Sequence, residues 1–410
     1  MPKDWDFDEI VDREGTASMK WEPGVLSAIF GKGKENLLPL WVADMDFKCP
    51  TVVRKAMEKR LEHQIYGYSL VDPSYFPALI SWYQRRHQWE IDEKWIITTP
   101  GIVPAINYIV QRFSKPGDKV LIQTPVYYPF ARAIQNNGRR ILDNPLQIVG
   151  DHYHMDFADL EKKARDPRAK MAILCSPHNP VGRVWTREEL EKFGNICIKN
   201  NILIISDEIH CDLIMPGFKH TCFPTISEAF AQNSITGLAA SKTFNLAGLH
   251  QSSIIIPNAG LRQELSSQIE NLGFANSIGG TLFGAISAAA AFNGAEPWLE
   301  DLIIYLHDNF MYLKTYIETR LPGAKVYDLQ GTYLVWVDFR NLGLDCNKMT
   351  RILEEDANVA LDHGNWFGEN GAGFERFNIA CPRSILIKAA ESVVSAIKKH
   401  IGNHAGHNQK

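Results

Sequence analysis

A mainly parallel α/β sheet covered by helices, followed by a smaller α+β unit, is the fold this sequence predicts. Three observations lead to it. Between residues 95 and 256, short apolar, β-rich runs alternate with helical segments, the pattern of a parallel sheet buried on both faces. From about residue 295 the text changes to long helices around isolated strands. The 410 residues are 45% hydrophobic and 22% charged, enough to bury a large core without disulfides or metals.

In chain order, the first 40 or so residues carry little periodic pattern, but Trp5, Trp21 and Trp41 mark them as a segment that packs. Helices are predicted over 51–63 and 74–88. Strands follow at 95–99, 119–123, 171–175, 202–206 and 252–256, with helices between them at 103–113 and 187–200. The helix at 103–113 rests on apolar residues at 102, 106, 109, 110 and 113, which share one face. Beyond them come a helix at 298–320, a strand at 331–339, a helix at 346–355, a strand at 376–380 and a terminal helix at 384–400. The predicted division is an N-terminal arm, 1–45, packing on the small domain or on a neighbouring subunit; a large domain, 46–292; and a small domain, 293–410.

Lys plus Arg is 43 and Asp plus Glu is 47, a net charge of −4. There is no basic stripe, so nucleic acid is not an expected partner. The seven cysteines are odd in number and none has CxxC spacing, which argues against a disulfide framework or a zinc cassette and suits a reducing compartment. The acidic start MPKDWDFDEIVDREGT lacks a leader pattern, and the apolar run at 284–292 is far short of a membrane span. The expectation is a cytoplasmic protein with no membrane partner and no metal.

In open α/β sheets, ligands bind outside the carboxyl ends of the strands. Polar groups gather after the runs read here: Pro100-Gly101-Ile102-Val103, Thr124-Pro125-Val126-Tyr127, Ser176-Pro177-His178-Asn179, Asp207-Glu208-Ile209-His210 and, later, Ser241-Lys242-Thr243. A lysine in an apolar setting can form a Schiff base. A carboxylate at a strand end can keep a heterocyclic nitrogen protonated, and an aromatic ring can stack on a planar ligand. A glycine turn entering a helix offers N–H groups to phosphate. Pyridoxal phosphate uses all four.

The motifs PGIV, TPVYYPF, CSPHNPVG, ISDEIH, ASKTFNLAGL and ERFNIACPR resemble those of fold-type-I pyridoxal-phosphate enzymes, the aspartate aminotransferase superfamily. PLWVADMDF, SDEIH and FNIACPR resemble its cystathionine β-lyase branch. The resemblance runs from about residue 5 to 400 and implies a seven-stranded sheet in the large domain. It implies that Lys242 holds the cofactor and moves the Cα proton, that Asp207 pairs with the pyridine nitrogen, and that Asn179 bonds the phenolic oxygen. Tyr127 then stacks on the ring. The backbone of Gly101, Ile102 and Val103, with Ser241, binds phosphate. Arg376 clamps the substrate carboxylate. Tyr68, with Tyr66 as its rival, reaches the phosphate of the neighbouring subunit in a homodimer.

Two positions depart from the aminotransferase pattern. His210 stands where many relatives have a Tyr that bonds the phenolic oxygen, and His250 stands where many have an Arg that bonds the phosphate. Both lean toward the lyase branch. The expected activity is β-elimination on a cysteine S-conjugate, a small amino-acid substrate. Transamination is the alternative, and a binding or regulatory protein without turnover is a third reading that an intact Lys242, Asp207 and Arg376 disfavour.

Overall fold

The computed structural model describes residues 4–274 and 281–405. Seven strands make the large sheet: β1 (Ile96–Thr99), β2 (Lys119–Ile122), β3 (Arg140–Asp143), β4 (Ala169–Cys175), β5 (Leu203–Asp207), β6 (Ser234–Leu238) and β7 (Ser252–Ile255). Their spatial order is β1-β7-β6-β5-β4-β2-β3. The pairs from β6 to β3 are parallel, whereas β7 runs antiparallel to both neighbours. Reversing β7 brings the residues before it, His250 and Gln251, to the edge where the other six strands end.

Both faces are buried, as the runs predict. In β2, Val120 and Ile122 face one core with Ile173, Ile205 and Ile235. Leu121, between them, faces a second core with Leu174 and Ile204, following the two-residue strand period. Helix Ile102–Phe113 closes the first core with Ile102, Ala105, Ile106, Ile109 and Val110. Helix Arg187–Lys199 closes the second with Leu190, Phe193 and Cys197. Its start is set by a capping box between Thr186 and Glu189, which satisfies two otherwise open N–H groups.

The strands read from the sequence are present, with ends differing by up to three residues; in the large sheet β3 and β6 are additions. The segment before residue 40 also contains a helix, Pro23–Phe30. A four-stranded sheet lies beyond the large one: β8 (Lys325–Val326), β9 (Leu334–Asp338), β10 (Asp362–His363) and β11 (Phe374–Asn378), in the order β8-β9-β11-β10. Leu38–Pro39 pairs with Val359–Ala360, and Trp5, Trp21 and Trp41 are all tied by their indole N–H, to Asp301, Asp46 and the carbonyl of Lys20. Among the described residues no helix is long and apolar enough to cross a membrane.

Candidate active site

A cavity of about 340 Å³ opens at the carboxyl edge of the large sheet, within the range of small-molecule sites. Gly101, Ile102, Val103, Tyr127, Asn179, Asp207, His210, Ser241 and Lys242 all line it, together with Ala43, Cys175, His250 and Gln251. Each strand end delivers its share. The turn after β1 starts the helix at Ile102, and β5 ends on Asp207 itself. A short helix after β6, Ala240–Thr243, carries Ser241 and Lys242.

The amine of Lys242 donates to the carbonyl of Ala43 at 2.6 Å. Burial lowers its pKa to about 8, aided by Arg376 and opposed by Asp44 and Asp207. The carboxyl of Asp207 is pushed up to about 7 by burial, against the Ile209 amide and the charge of Lys242. Both shifts point toward neutrality, as a low dielectric requires. Lys242 and Asp207 line one cavity, yet no ion pair joins them among the described residues.

At the other wall, the helix beginning at Ile102 has no side-chain cap. Pro104 has no N–H to offer, so the open first-turn donors are Ile102 and Val103 with Gly101 before them. Such a terminus attracts an anion through its N–H groups and dipole, and the Ser241 hydroxyl lies on the same cavity.

Arg376, on β11 and fully buried, does not line the cavity itself but is hydrogen-bonded to Asn179, which does. Its Nη1 donates to Asn179 Oδ1 at 3.0 Å and its Nη2 to the Trp41 carbonyl at 2.8 Å and to Asp362. Asp362 stands directly opposite it in the β10–β11 register, so the backbone sets this pair. Arg376 Nε and Asp362 Oδ1 are buried without a partner. Asn179 accepts through its oxygen and keeps its amide N–H groups for the cavity. His210 is buried with Nδ1 unpartnered. Burial, then Lys242 and Arg376, hold its imidazole well below the usual range, so it is neutral.

Tyr68 is not brought to this cavity within one chain; it is 97% exposed. Tyr66 packs against Phe283. Four contributors were not picked out from the sequence as site residues. Ala43 supplies the carbonyl that holds Lys242 and also accepts from Tyr333 Oη at 2.9 Å. Asp362 partners Arg376. Trp41 and Ala43 do fall within PLWVADMDF, a motif singled out as a whole; Tyr333 and Asp362 had no signal of that kind.

Behind the cavity, His87, Cys211 and Asp212, and next to them Glu208, His220 and Cys222, form two clusters with metal-ligating atoms. Their carboxylates are already taken. Glu208 accepts from Ser206, His220 and the Phe223 amide, and Asp212 from Trp82, His87 and Thr243. Glu208 is therefore held structurally by a hydroxyl, an imidazole and an amide, and Asp212 anchors Thr243 next to Lys242.

Residues 35–393 match the family model for aminotransferase class I and II. The chain is 39% identical to a cystathionine beta-lyase of Bacillus subtilis, PatB, over 95% of this chain and 99% of that protein. Cystalysin from Treponema denticola, whose structure contains a pyridoxal 5'-phosphate cofactor, superposes with a TM-score of 0.91 at 38% identity, covering 96% of this chain and 99% of the other. The pyridoxal-phosphate-bound C–S lyase of Staphylococcus hominis gives 0.88 at 34%, covering 96% and 98%.

Proposed function

The chain belongs to the aminotransferase class I and II family, and from that premise we propose that it is a pyridoxal-phosphate-dependent carbon–sulfur lyase that cleaves cysteine S-conjugates such as cystathionine to pyruvate, ammonia and a thiol. Its high identity to lyases along nearly the whole chain supports elimination over transamination. The observation that carries the chemistry is the pair of unjoined groups, Lys242 and Asp207, facing one cavity whose far wall is an uncapped helix start.

That cavity fits the cofactor. The backbone of Gly101, Ile102 and Val103, with Ser241, would hold its phosphate. Tyr127 would stack on the ring, and Asn179 would donate to its phenolic oxygen. Lys242 would attach it, and Asp207 would keep the pyridine nitrogen protonated. When bound, pyridoxal phosphate supplies an electron sink that makes the substrate Cα proton acidic.

The chain's own residues do the rest. Arg376 binds the substrate α-carboxylate, a task suited to a planar guanidinium. Asn179, bonded to Arg376, ties that anchor to the cofactor wall. With a pKa near 8, the amine of Lys242 is available as a neutral base close to physiological pH, takes the Cα proton, and as the acid can deliver it to the departing sulfur. The Cβ–S bond breaks with its electron pair leaving on sulfur, the pair freed at Cα closes a Cα=Cβ bond, and water hydrolyses the released enamine to pyruvate and ammonia. His210, neutral and unpartnered at Nδ1, adds no positive charge that would compete with the protonated ring.

We extend the same reading to the assembly, a cytoplasmic homodimer in which Tyr68 reaches the neighbouring phosphate. The exposed Ile65, Tyr68 and Leu70 support it, since a run of bare apolar side chains suits an interface. The division into an arm, 1–45, a large domain, 46–292, and a small domain, 293–410, is supported by the extents of the two sheets. The deciding experiment supplies cystathionine to the purified holoenzyme with no keto acid. Stoichiometric pyruvate and free thiol are expected. Product only upon addition of a keto acid, with the amino group transferred to it, refutes elimination.

A further inference from the structure

A second cavity, of about 380 Å³, lies between the N-terminal arm and helix Pro129–Asn136. Its walls include Met19, Ile29, Trp41, Tyr128, Arg132 and Trp366. Three of these lie one contact or one residue from groups of the active site. The Trp41 carbonyl accepts from Arg376. Tyr128 follows Tyr127, their rings 5.6 Å apart. Trp366 precedes Phe367, whose ring lies 4.9 Å from the guanidinium of Arg376. The second cavity shares no lining residue with the first; contacts of Arg376, Phe367 and Tyr127 link their walls.

Its chemistry is two-sided. Trp41, Tyr128 and Trp366 form an aromatic wall, and Met19 and Ile29 stand 61% and 47% exposed on the arm. Exposed apolar side chains grouped around a concave aromatic surface mark a binding site. The cation there is Arg132, held 5.0 Å over the Tyr128 ring. It has no carboxylate partner among the described residues. The ring fixes the guanidinium and leaves its N–H fork open, the arrangement that recognises a carboxylate.

We propose that this cavity receives the S-substituent of the substrate, and that Arg132 selects conjugates whose leaving thiol has an apolar or aromatic body ending in a carboxylate. The inference rests on the lyase reading above and names the substrate class for it. Arg376 grips one end of the molecule, the sulfur sits over the cofactor cavity, and Arg132 meets the far end.

The test compares matched substrates on the holoenzyme: S-(4-carboxybenzyl)cysteine, its neutral carbamoyl analogue, and S-methylcysteine. The acid is expected to exceed the amide by about tenfold in kcat/KM, carried by KM, the size of one hydrogen-bonded charge. Arg132→Gln brings the acid down to the level of the amide, and Arg132→Lys retains part of the advantage. A merely structural role for Arg132 would move both benzyl substrates together. The proposal is overturned, with the lyase reading intact, if S-methylcysteine yields pyruvate while the acid is no better than the amide, or if its advantage survives in Arg132→Gln. If no conjugate yields pyruvate, the lyase reading fails and this inference with it.

Discussion

Replacing Lys242 by Met should abolish turnover and make the cofactor-free protein more stable. Below pH 8 the fold carries the lysine charge at a site that lowers its pKa from 10.5 to about 8, chiefly by burial. That interval corresponds to roughly 3 kcal/mol of cost. The substitution leaves no orphan behind, because the Ala43 carbonyl keeps the Tyr333 hydroxyl at 2.9 Å. Lys242→Met is therefore expected to gain about 2–3 kcal/mol at pH 7. The sign of the pH dependence follows from proton counting. Between pH 8 and 10.5 the unfolded chain binds the proton and the folded chain has released it, so wild-type stability rises relative to the variant and the gap closes. Urea unfolding of both proteins, freed of cofactor, at pH 7 and pH 10 measures it. Equal stability at pH 7, or a gap unchanged at pH 10, would refute the account of Lys242 as a buried, strained base.

The small sheet offers a test of opposite sign. His363 lies between Glu375 at 2.9 Å and Glu354 at 3.0 Å; burial disfavours its charge, but the two carboxylates prevail and hold the imidazolium up to about pH 10. A folded pKa above the free value gives stability that is full below about pH 6.5 and lost as the pH rises through about 10, so the deficit of His363→Gln should be largest at pH 6 and shrink toward pH 10 in denaturant titrations. At Gly364 an added Cβ would lie 2.0 Å from the Gly371 carbonyl oxygen and 2.6 Å from that of Phe374. Since backbone cannot step aside as a side chain does, Gly364→Ala should cost about 3 kcal/mol or more, seen as a lower melting temperature.

What the sequence revealed of the fold follows from which signals are local. The buried parallel strands are continuous apolar runs, and four of them fall where expected. The strand Ser234–Leu238 was missed because SITGL is short and contains Gly237. The glycine has a packing reason: Ile102 sits where its Cβ would be, at 3.0 Å. The bare spot in the sheet lets the start of the anion-binding helix settle against it. Arg140–Asp143 escaped notice as a short edge strand with a charge at each end. Most cavity residues were legible because they sit at or just past a strand that was read; Ser241 and Lys242 follow the strand that was missed and were marked by their motif alone. Asp362 was not legible, because it meets Arg376 through strand register across 14 residues, and periodicity within a segment carries no information about pairing between segments.

The strap Trp41–Phe47 explains why motifs so far apart in the chain act together. Asn245, three residues after Lys242, accepts from the Met45 amide and donates to the carbonyls of Met45 and Phe47. Asn378, two residues after Arg376, donates to the carbonyls of Val42 and Asp44. The strap is thus tied at one end to the lysine segment and at the other to the arginine strand, with Ala43 between them on the amine of Lys242. Charge pairing fixes it from behind. Buried Lys20 meets Asp46 at 2.6 Å, and Arg13 bridges Asp44 and Asp46. A buried ion pair is weak evidence for stability but strongly resists losing one partner, so this network favours one position for the strap. The site needs that fixity. Its lysine and aspartate are each held away from their preferred charge state and from each other, and groups so arranged would relax into an ion pair if the wall around them could move. The N-terminal arm, the part of the sequence with the least pattern, supplies the polar scaffold that keeps them apart.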